Sequence, residues 1–125
     1  MSSAGNPLAR HGHLGYLEIP AIEPRRSAEF YRLVLGWSID ERSRDDFRFS
    51  GGDGLLIGRW VTTRAASREP GLRPYFYVDG IAAAIARVTA NGGEIAEALR
   101  TEGDTQIATV RDPAGNSIGL WQFVE

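Results

Sequence analysis

Ile57-Gly58-Arg59-Trp60 and Ile118-Gly119-Leu120-Trp121 decide how this chain is read. Each is a short β-branched and aromatic run of the kind that forms a strand. Each closes a passage with the same order of signals. The first passage starts at the strand Leu14-Gly15-Tyr16-Leu17-Glu18-Ile19. Pro24 then opens a helix, where its missing N–H costs little. Ala28, Phe30/Tyr31 and Val34/Leu35 follow helical spacing, and Gly36 stops the run. Trp37 to Asp40, Phe47 to Ser50 and Leu55 to Val61 read as three strands, the last two joined by the turn Gly51-Gly52-Asp53-Gly54.

The second passage repeats this. Pro74-Tyr75-Phe76-Tyr77-Val78 is a strand, and Asp79 is placed to cap a helix with Ile81, Ala84, Ile85 and Val88 on one stripe. Asn91-Gly92-Gly93 ends it. Glu94 to Glu97, Gln106 to Val110 and Ser117 to Val124 supply three more strands, the last two around the turn Asp112-Pro113-Ala114-Gly115-Asn116. With I-G-x-W at the end of both passages, the pattern predicts an α+β fold of two tandem βαβββ units. The expected boundaries are a loose tail over 1–11, a first unit over 12–61, a connection over 62–72 and a second unit over 73–124, all in one domain.

The charge balance limits the partners. Fourteen Lys and Arg against sixteen Asp and Glu leave a net charge of -2. A duplex-binding surface needs a basic excess to displace counterions, so no nucleic-acid partner is expected. No apolar run reaches the length of a membrane span, no secretory h-region is visible near Met1, and the default compartment is the cytoplasm. The chain has no Cys, which removes disulfides, thiolate metal sites and a Cys nucleophile. Neither a nucleophile elbow, nor a P-loop, nor a dinucleotide fingerprint is present.

Several stretches look familiar. Leu17-Glu18-Ile19-Pro20, Arg26-Ser27-Ala28-Glu29-Phe30-Tyr31 and Leu35-Gly36-Trp37 resemble the opening of glyoxalase and bleomycin-resistance-type proteins, members of the vicinal oxygen chelate superfamily. Val78-Asp79 and Asp112-Pro113-Ala114-Gly115-Asn116-Ser117-Ile118-Gly119-Leu120-Trp121-Gln122 resemble its second half. The resemblance runs from Leu14 to Phe123. It implies that each unit is a curved half-barrel sheet around a cavity, that many relatives hold a divalent metal there, and that a homodimer is expected.

Carried onto this chain, the metal-ligand positions of the superfamily fall on Tyr16, at or near Gly58, on Arg73 and on Gly119. Glycine has no donor atom and a guanidinium repels a cation, so no metal and no other cofactor is expected. A shift of one residue exposes the opposite strand face and brings no better donors. A shift of two brings in only Glu18. His11 and His13 share one parity but read as solvated tail residues.

Strand alternation assigns the faces. Leu17 and Ile19 suit packing under a helix, with Tyr16 and Glu18 opposite. Pro74, Phe76 and Val78 oppose Arg73, Tyr75 and Tyr77. Trp60 and Trp121 are expected to share a face with Gly58 and Gly119, the glycines leaving room beside them. The expected ligand-binding set is therefore Tyr16, Glu18, Trp60, Arg73, Tyr75, Tyr77 and Trp121, walls suited to an aromatic or cyclic small organic ligand. Glu18 is either a general base or a structural ion-pair partner of Arg73. Arg64, Arg68, Arg73 and Glu69 read as solvated connection charges.

The leading expectation is a metal-independent small-molecule-binding protein. The alternatives are a glyoxalase-type lyase or isomerase using Glu18 as base, and a structural or interaction module.

Overall fold

Pro24 fixes the start of the first helix, and Gly36 fixes its end by adopting φ +73° and donating its N–H to the Arg32 carbonyl. In the computed structural model, which describes residues 5–69 and 71–124, this helix is α1 (Pro24–Leu35). It follows strand β1 (Tyr16–Pro20) and precedes β2 (Ser38–Ser43), β3 (Asp46–Ser50) and β4 (Ile57–Val61). The four strands form a sheet ordered β1-β4-β3-β2, with β1 parallel to β4 and the other pairs antiparallel. The second unit repeats the order with β5 (Tyr75–Tyr77), α2 (Ile81–Ala90), β6 (Glu94–Glu102), β7 (Thr105–Arg111) and β8 (Ser117–Phe123). Its sheet is ordered β5-β8-β7-β6, again with one parallel pair, β5 with β8. The two tandem βαβββ units expected from the sequence are present. Part of the expected tail, Met1 to Ala4, lies outside the described residues.

One detail of the second helix differs from expectation. Asp79 does not cap α2. The N-cap is Gly80, and Gln122 from β8 does the capping: its Oε1 accepts the Ile81 N–H at 2.9 Å while its Nε2 donates to the Asp79 carbonyl at 2.7 Å. A side chain from a distant strand thus satisfies a helix-end donor that local sequence reading assigns to a neighbour.

Both helices pack on one face of their sheets and touch each other, so the two units share one core. Phe30, Tyr31 and Val34 of α1 and Ala84 and Val88 of α2 meet Ile19, Phe49 and Trp60 from the first sheet and Val110, Ile118 and Leu120 from the second. Trp37 joins the halves: it stacks on Tyr31 (centroids 4.9 Å apart) and Phe49 (4.3 Å) and takes Phe76 edge-on at 5.5 Å.

The turn between β7 and β8 adds a polar lock. Asp112 accepts the Tyr31 hydroxyl at 2.8 Å and the backbone N–H groups of Ala114 and Asn116. Asn116 donates to Asp112 and to the Pro20 carbonyl, both at 2.7 Å, and accepts the Ser67 N–H. This buried network ties the second unit to β1, α1 and the connecting segment. Among the described residues no helix is long and apolar enough to cross a membrane.

The I-G-x-W coincidence, however, is out of register between the units. Aligning them on their helix starts, Pro24 and Ile81, sets Ile19 over Phe76. The partner of Ile19 across the sheet is Trp60, and that of Phe76 is Leu120. Trp60 therefore corresponds to Leu120, not to Trp121. Gly58 faces the helix side with Leu17, whereas Gly119 pairs with Tyr75 on the open side. The residue between glycine and tryptophan decides this: Arg59 must point to water, which turns Trp60 inward, while Leu120 itself turns inward and leaves Trp121 outside.

Candidate functional site

The helix-free face of the second sheet carries the densest exposed aromatic group. Tyr77 meets Trp121 edge to face at 5.0 Å, and Trp121 meets Phe123 in the same way at 5.0 Å. Tyr75, one step along β5, joins them, and Tyr75, Tyr77 and Phe123 remain 41%, 48% and 51% exposed. Three exposed rings around a half-buried Trp121 are costly unless something covers them. Three of the four were expected from strand parity. Phe123 was missed, although its place two residues after Trp121 puts it on the same face.

Gly119 does not leave a void there. The Tyr75 ring lies across it, so a Cβ on Gly119 would stand 2.2 Å from Tyr75 Cδ2. Gly58 does not leave one either. A Cβ there would meet the Leu17 carbonyl oxygen at 1.9 Å and Phe49 Cζ at 2.5 Å, on the core side. The expectation that both glycines open a cavity is corrected: one is filled by a tyrosine ring, the other by close strand approach.

Arg73 lies at the end of this face and is mostly covered. It pairs with Glu69 and reaches Glu97 at 3.6 Å, Ser117 Oγ at 3.2 Å and the Tyr75 hydroxyl at 3.3 Å. It is a fixed part of the wall rather than a solvated connection charge. Glu18 does not pair with Arg73 as considered. It belongs to the first sheet and is held by Arg64 at 2.6 Å and Arg59 at 3.6 Å. Tyr16 is exposed on the same open face of the first sheet.

Trp60 is the clearest correction. It is 2% exposed and packs against Tyr31 and Phe49 in the core, so it lines no open face. The expected set thus divides into Tyr16 and Glu18 on the first sheet, Arg73, Tyr75, Tyr77 and Trp121 on the second, and Trp60 between the sheets and helices.

Two of the hollows among the described residues adjoin the strands that carry the expected site residues. A cleft of about 340 Å³ on the open face of the first sheet is bordered by residues of β1–β4, Arg42 of β2 among them. A more apolar cleft of about 480 Å³ lies where β1 approaches β5 and β8, beside Arg64, Ser67 and Leu72 of the connecting segment.

The donor set does not fit a divalent ion. Of the four expected positions, Tyr16 alone offers an oxygen, Gly58 and Gly119 offer none, and Arg73 is a paired cation. Among the described residues no group of three His, Cys, Asp or Glu converges. His11 and His13 are exposed near the start of the described chain.

Two of the groups with displaced pKa values, Tyr31 and Asp112, lie in the interior. Burial, then the negative charge of Asp112, pushes the Tyr31 hydroxyl well above the ordinary phenolic range. Burial also raises the Asp112 carboxyl, against the pull of hydrogen bonds from Asn116 and Tyr31. Both belong to the polar lock rather than to an open face.

Comparison with known proteins places this architecture. The sequence profile of the Glyoxalase/Bleomycin resistance protein/Dioxygenase superfamily matches residues 13–120. The chain belongs to this superfamily. No curated protein matches it. Among solved structures, TioX from Micromonospora sp. ML1 is 19% identical with TM-score 0.65, covering 90% of this chain and 100% of its own. TnmS3, an antibiotic binding protein from Streptomyces sp. CB03234, is 20% identical with TM-score 0.67, covering 89% and 95%. A glyoxalase-related enzyme from Fulvimarina pelagi is 16% identical with TM-score 0.70, covering 89% and 88%. At these identities the likeness is one of fold.

Proposed function

We propose that this superfamily member binds a flat or cyclic small organic molecule on the aromatic face of its second sheet, without a divalent metal. The observation that carries the reading is the group of exposed Tyr77 and Phe123 around half-buried Trp121, with exposed Tyr75 beside it. Edge-to-face rings hold one another in place and present a preorganised apolar wall, on which a planar ligand gains contact area at little ordering cost. The poor donor set at the family's metal positions supports metal independence. An antibiotic binding protein shares this fold, which fits small-molecule binding, as does a glyoxalase-related enzyme.

The protein works as a homodimer in this reading. Both sheets have a helix on one face and nothing from the helices on the other. A second copy that lays its first sheet over the aromatic face turns an open wall into an enclosed site. Catalysis by Glu18 has less behind it, because that carboxylate is engaged by two guanidinium groups.

Native mass spectrometry of protein dialysed against a chelator tests this reading. Dimers that carry a small organic molecule and no metal are expected. Monomers free of ligand, or a near-stoichiometric divalent metal that survives dialysis, would contradict it.

A further inference from the structure

Two arginines face each other in the middle of the first sheet. One row across its open side runs Glu18, Arg59, Arg48, Asp40, each residue the cross-strand partner of the next. Like charges directly opposite on adjacent strands repel. The flanking carboxylates relieve this only in part. Arg48 is satisfied by Asp46, at 3.1 and 3.3 Å. Asp40 is engaged by Arg42 at 2.9 Å. Glu18 is taken by Arg64 at 2.6 Å, which leaves Arg59 a single 3.6 Å approach to the other Glu18 oxygen. Among the described residues Arg59 makes no closer ion pair, and its side chain is 45% exposed.

The adjacent row supplies hydroxyls. Ile57 lies between Tyr16 and Ser50, and Ser50 faces Ser38. Together the two rows border the cleft of about 340 Å³. A guanidinium with spare donors, a second one opposite and three hydroxyls at the rim make a place for an oxyanion, which would remove the arginine repulsion and accept charge-assisted hydrogen bonds. On the second sheet Arg73 is occupied by Glu69, Glu97, Ser117 and Tyr75, and Arg100 by Glu97 and Glu102, while Arg111 stands singly between Glu94 and Ser117 with no second arginine opposite it.

We infer that the ligand is an aromatic acid whose carboxylate, or an equivalent oxyanion, sits over Arg59 and Arg48 while its rings lie on the aromatic face of the partner copy. This rests on the binding mode proposed above and adds the ligand's charge to it.

Two dyes that share a skeleton separate the claims: 8-anilinonaphthalene-1-sulfonate, which is anionic, and N-phenyl-1-naphthylamine, which is neutral. Each is titrated into the full chain by fluorescence, as wild type, Arg59→Gln and Arg48→Gln. The expected result is saturable binding of both dyes to wild type, with a loss of about tenfold for the sulfonate alone in each variant. Added salt weakens the sulfonate dye and spares the neutral one. Equal effects on both dyes, or no effect of either variant on the sulfonate, overturn the acid-reading role while leaving aromatic binding intact. Failure of both dyes to bind wild type overturns the binding mode and the inference together.

Discussion

Tyr75 lies over Gly119 as a lid lies on a seat, with its ring where the side chain of any other residue at 119 would go. A side chain at 119 is thus excluded by a neighbouring ring. Gly119→Ala forces that ring aside, at a cost of about 1–3 kcal/mol of overpacking. Because the obstacle is a side chain, Tyr75→Ala removes it. Urea denaturation of both single variants and the double variant is expected to show a coupling of at least about 1 kcal/mol in the direction of rescue. Additive losses would mean the two residues do not share that space.

Gly58→Ala behaves differently. Its obstacle is the Leu17 carbonyl of the neighbouring parallel strand, which no side-chain change removes. The same denaturation experiment is expected to give a loss of more than about 3 kcal/mol, or no folded protein. Wild-type stability in Gly58→Ala would show that β1 and β4 are not as close as described.

The three tryptophans separate core from surface. Trp37→Ala and Trp60→Ala each remove a buried ring and are expected to cost about 3–5 kcal/mol. Trp121→Ala is expected to cost less than about 2 kcal/mol, because its half-buried ring rests on the exposed rings of Tyr77 and Phe123. Thermal or urea unfolding that ranks Trp121 with the other two would place it in the core.

The polar lock has a pH signature. Tyr31 has a folded pKa raised above its unfolded value, so the stability it contributes is complete below about pH 10 and is lost as pH rises past that value. The raised Asp112 carboxyl acts in the same direction at lower pH: its contribution is complete below the unfolded carboxylate pKa, near 4, and is lost as pH rises through the folded value. In an alkaline titration followed by tyrosinate absorbance, Tyr31 is expected to ionise only together with unfolding. Tyr31→Phe should abolish that coupled step. A tyrosinate signal of unchanged shape in Tyr31→Phe would contradict the buried hydrogen bond to Asp112.

The fold was legible because both units carry strong local punctuation. Pro24, Gly36, the Asn91-Gly92-Gly93 stop and the Asp112–Asn116 turn mark boundaries by backbone chemistry alone. The four-residue I-G-x-W coincidence predicts an open face for Trp60, and β4 instead turns it into the core. Arg59 held the correction, since a guanidinium between Gly58 and Trp60 has to face water. The partners of Glu18 could not be read from sequence at all. Arg64 lies in an irregular segment with no periodicity, and only the fold brings it to β1. Gln122 as the cap of α2 is hidden for the same reason.

Metal-free binding at the aromatic face is measured most directly by titrating chelator-treated protein with N-phenyl-1-naphthylamine, wild type beside Trp121→Ala. Saturable binding that survives the chelator is predicted, weakened in Trp121→Ala by about 0.5–1.5 kcal/mol beyond the area lost, the usual size of an aromatic contact. Binding that appears only with an added divalent metal, or that is equal in wild type and Trp121→Ala, would contradict it.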